Sequence, residues 1–96
     1  MPTPLTDSTF FVAINDWFQQ CDFNGTTLTE SLIGSVYTTY GPMADWDTGL
    51  VTTMNGAFFN MNQDYLASTR ELIPYFNQNI GLWNTSAVTD MTGMFS

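Results

Sequence analysis

The side chains with the most evident chemical potential are carboxylates near a tryptophan: Asp45 and Asp47 flank Trp46, and Asp64 and Asp90 lie further along. Together such oxygens could hold a hard cation such as Ca²⁺. Asp at a corner also caps its own turn, and that is how we read these four. Nine acids leave room for a carboxylate pair of the glycosidase kind, but no spacing singles one out. The lone thiol, Cys21, falls on an apolar stripe and reads as a small core residue rather than a nucleophile. We therefore expect no catalytic residue, no metal site and no cofactor, and read the chain as non-enzymatic.

The residues that are missing exclude more than those present suggest. Without histidine, Ser-His-Asp and Cys-His arrangements cannot exist, and the common zinc sites lose their main nitrogen ligand. Without lysine there is no phosphate-binding P-loop and no Schiff base. A formal net charge of −8 repels nucleic acid and anionic membranes, so neither is an expected partner. A basic protein, a cation or a neutral surface stays open, and the acidity itself serves to keep an aromatic-rich chain soluble. No apolar run reaches the length of a membrane span, and the N-terminus lacks the basic-then-apolar order of a signal peptide. One cysteine cannot form an internal disulfide. Asn24-Gly25-Thr26 and Asn84-Thr85-Ser86 fit the glycosylation sequon and are read as chance.

Any site must be positioned by a single small domain, since 96 residues bury a modest core. A composition 44% apolar and 16% aromatic is that of a folded chain. Met1 to Leu5 reads as an extended lead-in, because Pro2 and Pro4 fix φ. From Thr6-Asp7-Ser8, good N-cap material, Phe10, Ile14, Trp17 and Cys21 recur at helical spacing and predict a helix over 8–21. Thr27 and Glu30 have the spacing of a capping box, which predicts a second helix over 28–39 with a stripe of Ile33, Val36, Tyr37 and Tyr40. Gly41-Pro42 stops it. Residues 1–41 thus form an N-terminal helical cap.

After Pro42 the helical periodicity gives way to a repeat. Residues 46–58, WDTGLVTTMNGAF, and 83–95, WNTSAVTDMTGMF, agree at seven of thirteen places in one register, 37 positions apart. Large side chains from successive units could pack into one core that neither buries alone. The shared Gly56 and Gly93 suit a sharp backbone turn, and Thr48 and Thr85 can tie a corner to nearby backbone. A fainter echo relates Met61–Tyr65 to Phe76–Ile80.

Asn77-Gln78-Asn79-Ile80 followed by Trp83-Asn84-Thr85-Ser86-Ala87-Val88-Thr89-Asp90-Met91-Thr92-Gly93-Met94-Phe95 resembles the repeat of the BspA-like surface-protein family, first noted in mycoplasma lipoproteins. Units of that family read Phe-Asn-Gln, an apolar residue, Trp-Asp-Thr-Ser, Val-Thr-Asp-Met, Met-Phe. Trp46 to Phe58 is similar, with Gly49 and Leu50 in place of the small polar pair and Ala57 before Phe58. Ile14 to Trp17 and Tyr40-Gly41 resemble the helix that precedes the first unit in many relatives. Two departures stand out. Family units recur at about 25 residues, so about 12 residues around Tyr65 to Ile73 look inserted here. Ser96 comes where relatives begin another unit, which reads as a fragment or as a chain completed by a partner.

The resemblance implies a leucine-rich-repeat-like solenoid engaged in surface display, adhesion or protein contact. The expected architecture is α+β: an N-terminal helical pair capping a short, irregular solenoid of two to three units over 42–96. Its repeat core is Trp46, Thr48, Val51, Met54, Phe58, Phe76, Ile80, Trp83, Thr85, Val88, Met91 and Phe95. Trp83, Met91, Met94 and Phe95 are the candidate interface, and its partners are proteins or further repeats of the same chain. The resemblance places such a module at the cell surface. The alternative is a small acidic accessory subunit of a large multiprotein assembly, membrane-associated or within an organelle.

Overall fold

The computed structural model describes residues 3–95, so Ser96 and the first two residues of the lead-in lie outside it. Thr3 to Leu5 run extended, held by Thr3 N–H to the Thr39 carbonyl (3.0 Å) and Leu5 N–H to that of Asp47 (2.9 Å). Helix α1 spans Asp7–Gln20. Thr6 is its extended N-cap, and the Thr6 N–H donates to Thr9 Oγ1 at 2.9 Å. Phe10, Ala13, Ile14, Trp17 and Phe18 form its buried stripe.

The expected second helix is mostly absent. Strand β1, Asp22–Phe23, pairs antiparallel with β2, Leu28–Thr29, and helix α2 covers only Ser35–Tyr40. The Asn24 carboxamide takes the N–H groups of Thr26 (2.9 Å) and Thr27 (2.7 Å), which folds the chain into a hairpin where the capping box was expected. Glu30 is claimed from afar: its carboxylate accepts the Trp17 indole N–H at 2.8 Å and the Met43 N–H at 2.7 Å. These tertiary bonds outweigh a local spacing rule. Ile33, placed on the predicted stripe, is 92% exposed, whereas Val36 is buried.

Helix α3, Ala67–Leu72, lies in the stretch that looked inserted and folds back onto α1. Asn15 Oδ1 accepts the Leu66 N–H (3.0 Å) and the Thr69 hydroxyl (2.9 Å), and the Gln19 amide donates to Thr69 Oγ1 at 2.8 Å. Thr69 is fully buried and fully bonded there, as a buried hydroxyl must be. The echo between Met61 and Phe76 has no structural counterpart: Met61 is exposed, while Phe76 stacks on Phe58 at 4.3 Å.

The solenoid expectation is therefore corrected. The described residues form a compact body of 35 × 30 × 21 Å with three helices and one two-stranded sheet, and no solenoid is evident among them. Residues 46–58 and 83–95 form no paired strands among the described residues beyond one isolated parallel bridge, Thr53 to Asp90. The reason lies in α1 and α3. The aromatic stripe of α1 reaches both units, Phe10 edge-on to Trp83 (5.7 Å) and Phe18 to Phe58 (6.5 Å), and the chain between the units returns to α1 as α3. A helix closes the core from the side, so it does not extend along a repeat axis.

Candidate functional site

The two thirteen-residue segments fold through the same local turns. Trp46 N–H to the Met43 carbonyl (3.2 Å) recurs as Trp83 to Ile80 (3.1 Å), Val51 to Thr48 (3.0 Å) as Val88 to Thr85 (3.0 Å), and Ala57 to Met54 (3.1 Å) as Met94 to Met91 (3.2 Å). At the corner, Asp47 Oδ1 accepts the Gly49 N–H (3.2 Å) as Asn84 Oδ1 accepts that of Ser86 (3.0 Å). Gly56 and Gly93 take φ of +69° and +66°, a left-handed conformation that a Cβ disfavours. Identical residues at these points therefore have matching geometry.

The segments lie side by side in parallel. N–H groups of Met54, Gly56 and Phe58 donate to the carbonyls of Asp90 (2.8 Å), Thr92 (3.1 Å) and Met94 (2.7 Å), and the Thr89 N–H returns to the Thr52 carbonyl (2.7 Å). Thr48 Oγ1 donates to the Asn84 carbonyl at 3.0 Å. Trp46 and Trp83 stack at 5.9 Å with 7° between their planes, and Phe58 and Phe95 at 5.4 Å with 9°. Both indoles also donate to backbone, Trp46 to Gly41 (3.0 Å) and Trp83 to Met43 (2.7 Å).

On the opposite side of the first unit sits Asp7, from the first turn of α1. Its carboxylate accepts the Thr52 N–H (2.8 Å) and the Thr52 hydroxyl. The Thr52 carbonyl accepts the same two groups from Thr89. Asp7 thus occupies the place that a preceding unit's carbonyl would take. The hydrogen bond from the Thr52 hydroxyl, followed by that from its N–H, holds this carboxyl below its ordinary pKa. Sequence reasoning saw Asp7 only as cap material, since no local signal links it to a residue so far along the chain.

The outer side of the second unit has no such cover among the described residues. Thr48, Val51, Met54 and Phe58 are buried; their counterparts Thr85, Met91 and Phe95 are exposed and Val88 is half-buried. Phe76 and Ile80 are partly buried against the same core. Two members of the expected interface are not available: Trp83 is only 7% exposed, enclosed by Phe10, Trp46 and Phe58, and Met94 is also buried. Met91 and Phe95 remain, and beside Phe95 opens a cleft of about 280 Å³ lined by Phe58, Asn60, Ile73, Pro74 and Phe76.

The remaining candidates lie apart from this face or are locally engaged. Asp90 gives one carboxylate oxygen to the Thr92 N–H (3.0 Å) and the other to Asn55 (3.1 Å), and these bonds, the Thr92 backbone first, hold its pKa down. Asp45, Asp47 and Asp64 do not converge with it: among the described residues no group of three acids, cysteines or histidines could hold a metal ion. The Cys21 thiol is pushed up to about 12, by burial first and by the charge of Glu30 second. No described helix is long and apolar enough to cross a membrane.

Compared with known protein families, residues 12–96 match one described as "Mycoplasma protein of unknown function, DUF285". No curated protein and no solved structure matches the chain.

Proposed function

From the premise that this chain belongs to the DUF285 family of mycoplasma proteins, we propose that it is a non-enzymatic protein-binding or scaffolding module of a larger surface or adhesion-type protein. The observation that carries this reading is the unequal cover of the two units: side chains and backbone groups engaged in the first are left open at the same places in the second. An exposed Phe beside an aromatic-lined cleft is the usual composition of a protein contact. The finer likeness of the Trp46 and Trp83 segments to BspA-like repeats supports the surface and adhesion part of the reading.

The test is loss of binding on changing only the open face. Met91→Asp with Phe95→Asp should abolish retention of a defined set of surface-derived proteins while leaving the circular dichroism spectrum of the chain unchanged and lowering its melting temperature by only about 4–8 °C. Binding has to be reproduced with the purified partner at a measured Kd. Equal retention by the wild type and the double variant would overturn the proposal.

A small acidic accessory subunit of a larger assembly is the second reading, which the exposure of Met91 and Phe95 also favours. A subunit needs permanent cover on that face, so the isolated chain would melt low or self-associate. A monomer with a high, concentration-independent melting temperature would remove it.

A further inference from the structure

We propose that Asn24, at the tip of the β1–β2 hairpin, is a self-modifying site: the Gly25 amide nitrogen attacks the Asn24 carboxamide, and water opens the resulting succinimide to aspartyl and isoaspartyl products. The hairpin thereby carries a slow, irreversible chemical change that needs no second protein. It does not depend on the protein-binding reading above.

The chemistry asks for three things. The attacking nitrogen must be free of a hydrogen bond, its residue must be small enough to let a five-membered ring close, and the amide group that leaves must be unheld. The chain has two Asn-Gly pairs, Asn24-Gly25 and Asn55-Gly56, and they differ on these points. Among the described residues the Gly25 N–H and the Asn24 Nδ2 have no hydrogen-bond partner, and both residues are exposed. Apart from chain neighbours, nothing lies within 4 Å of where a Gly25 Cβ would stand. The second pair is tied down. Asn55 Nδ2 donates to Asp90 at 3.1 Å and the Gly56 N–H to the Thr92 carbonyl at 3.1 Å. Gly56 is also buried, with the Asn62 amide 3.2 Å from its Cβ position.

The first pair is moreover assisted. Asn24 Oδ1 accepts the Thr26 N–H (2.9 Å), the Thr27 N–H (2.7 Å) and the Thr26 hydroxyl (3.1 Å). The ring that the Thr26 N–H closes contains the Asn24–Gly25 peptide link, so the carboxamide is folded back toward the nitrogen that attacks it. As that nitrogen bonds to Cγ, the carbonyl electron pair moves onto Oδ1. Three donors already surround this oxygen, the arrangement that stabilises an oxyanion. The Gly25 proton goes to solvent base, Nδ2 takes up a proton and leaves as ammonia, and one water is consumed when the ring opens. Nothing is oxidised or reduced.

The isoaspartyl product would reach the fold. When water attacks the backbone carbonyl of Asn24, the chain afterwards runs through Cβ and Cγ and is one methylene longer. That methylene enters a hairpin whose register pairs Asp22 with Thr29 and Phe23 with Leu28. Leu28 is buried and its carbonyl accepts the Asn77 amide at 2.9 Å, so a shifted register pulls on a strand tied to the core.

The experiment incubates the 96-residue protein in slightly alkaline buffer, folded and in concentrated urea, and follows the chymotryptic peptides containing Asn24 and Asn55 by mass spectrometry. In the folded protein Asn24 should convert at about ten times the rate of Asn55 or more, and in urea the two rates should converge. Thr26→Val keeps the N–H and removes the hydroxyl; it should slow Asn24 by about threefold, less than the loss of an enclosed oxyanion donor because the hairpin is open to water. The aged protein should melt below the fresh one. Equal rates at the two sites of the folded protein, or an Asn24 that converts only in urea, would overturn the proposal. An unchanged or faster conversion in Thr26→Val would overturn the assisted step, since the hydroxyl would then hold the carboxamide without aiding attack. An aged protein that melts with the fresh one would overturn the effect on β2.

Discussion

Met54 and Met91 occupy the same place in two copies of one motif, yet the first is fully buried and the second is 48% exposed. Phe58 and Phe95 differ in the same way, 3% against 63%. Local folding does not cause this, because the turns, the left-handed glycines and the corner bonds recur in both copies. What differs is the outer neighbour: the first unit has Asp7 of α1 on one side and the second unit on the other, whereas the outer side of the second has no neighbour among the described residues. The copies therefore show how little of a residue's burial is decided by its own segment.

The largest expected effect separates the two phenylalanines. Phe58→Ala should cost about 3–5 kcal/mol, since Phe18, Phe76, Trp83 and Phe95 all pack on that ring. Phe95→Ala should cost about 0.5 kcal/mol by urea unfolding, and similar losses for both would break the contrast. The methionines give the next test. Met54→Ala should lose about 2–5 kcal/mol and Met91→Ala about 0.5 kcal/mol.

The glycines sharpen the comparison from the other side, because there the copies should agree. Alanine at Gly56 or Gly93 should each cost about 1–2 kcal/mol for the positive φ. Gly56→Ala should cost somewhat more, as its Cβ would lie 3.2 Å from the Asn62 amide that donates to the Gly56 carbonyl. A neutral Gly93→Ala in thermal melts would show that the turn is not shared.

The smallest effect concerns Asp7, which stands in for a carbonyl. Its folded pKa is lowered, so its contribution is present above the ordinary value of 3.8 and is lost as pH falls through the folded value. Asp7→Asn should accordingly flatten the acid limb of a melting-temperature profile by slightly lowering its plateau above about pH 4, and should leave the melting temperature at the acid end nearly unchanged. An identical acid limb in wild type and variant would deny Asp7 that role.

The first helix and the repeat register were legible in sequence, whereas the architecture was not, for physical reasons. The cap at Thr6 and the stripe from Phe10 to Phe18 announce α1 within about a residue of its ends, because both signals are local. The register of the two units was also legible, since a repeat compares the chain with itself. The second helix was misread because Asn24 and Glu30 found other partners, those of Glu30 each 13 residues away. The solenoid was misread because nothing local says that residues 59–75 return to α1 through Asn15 and Thr69. At the candidate site, the repeat register pairs Met91 with Met54 and Phe95 with Phe58, whereas the burial of Trp83 depends on Phe10, far earlier in the chain.

Amide hydrogen exchange on the free protein tests the open edge most directly, because it reads the same three positions in each copy. The N–H groups of Met54, Gly56 and Phe58 should exchange slowly, each being held by a carbonyl of the second unit, while those of Met91, Gly93 and Phe95 should exchange at rates near those of an unstructured chain. Comparable protection at all six would contradict the assignment of an uncovered edge, and with it the binding surface proposed for this chain.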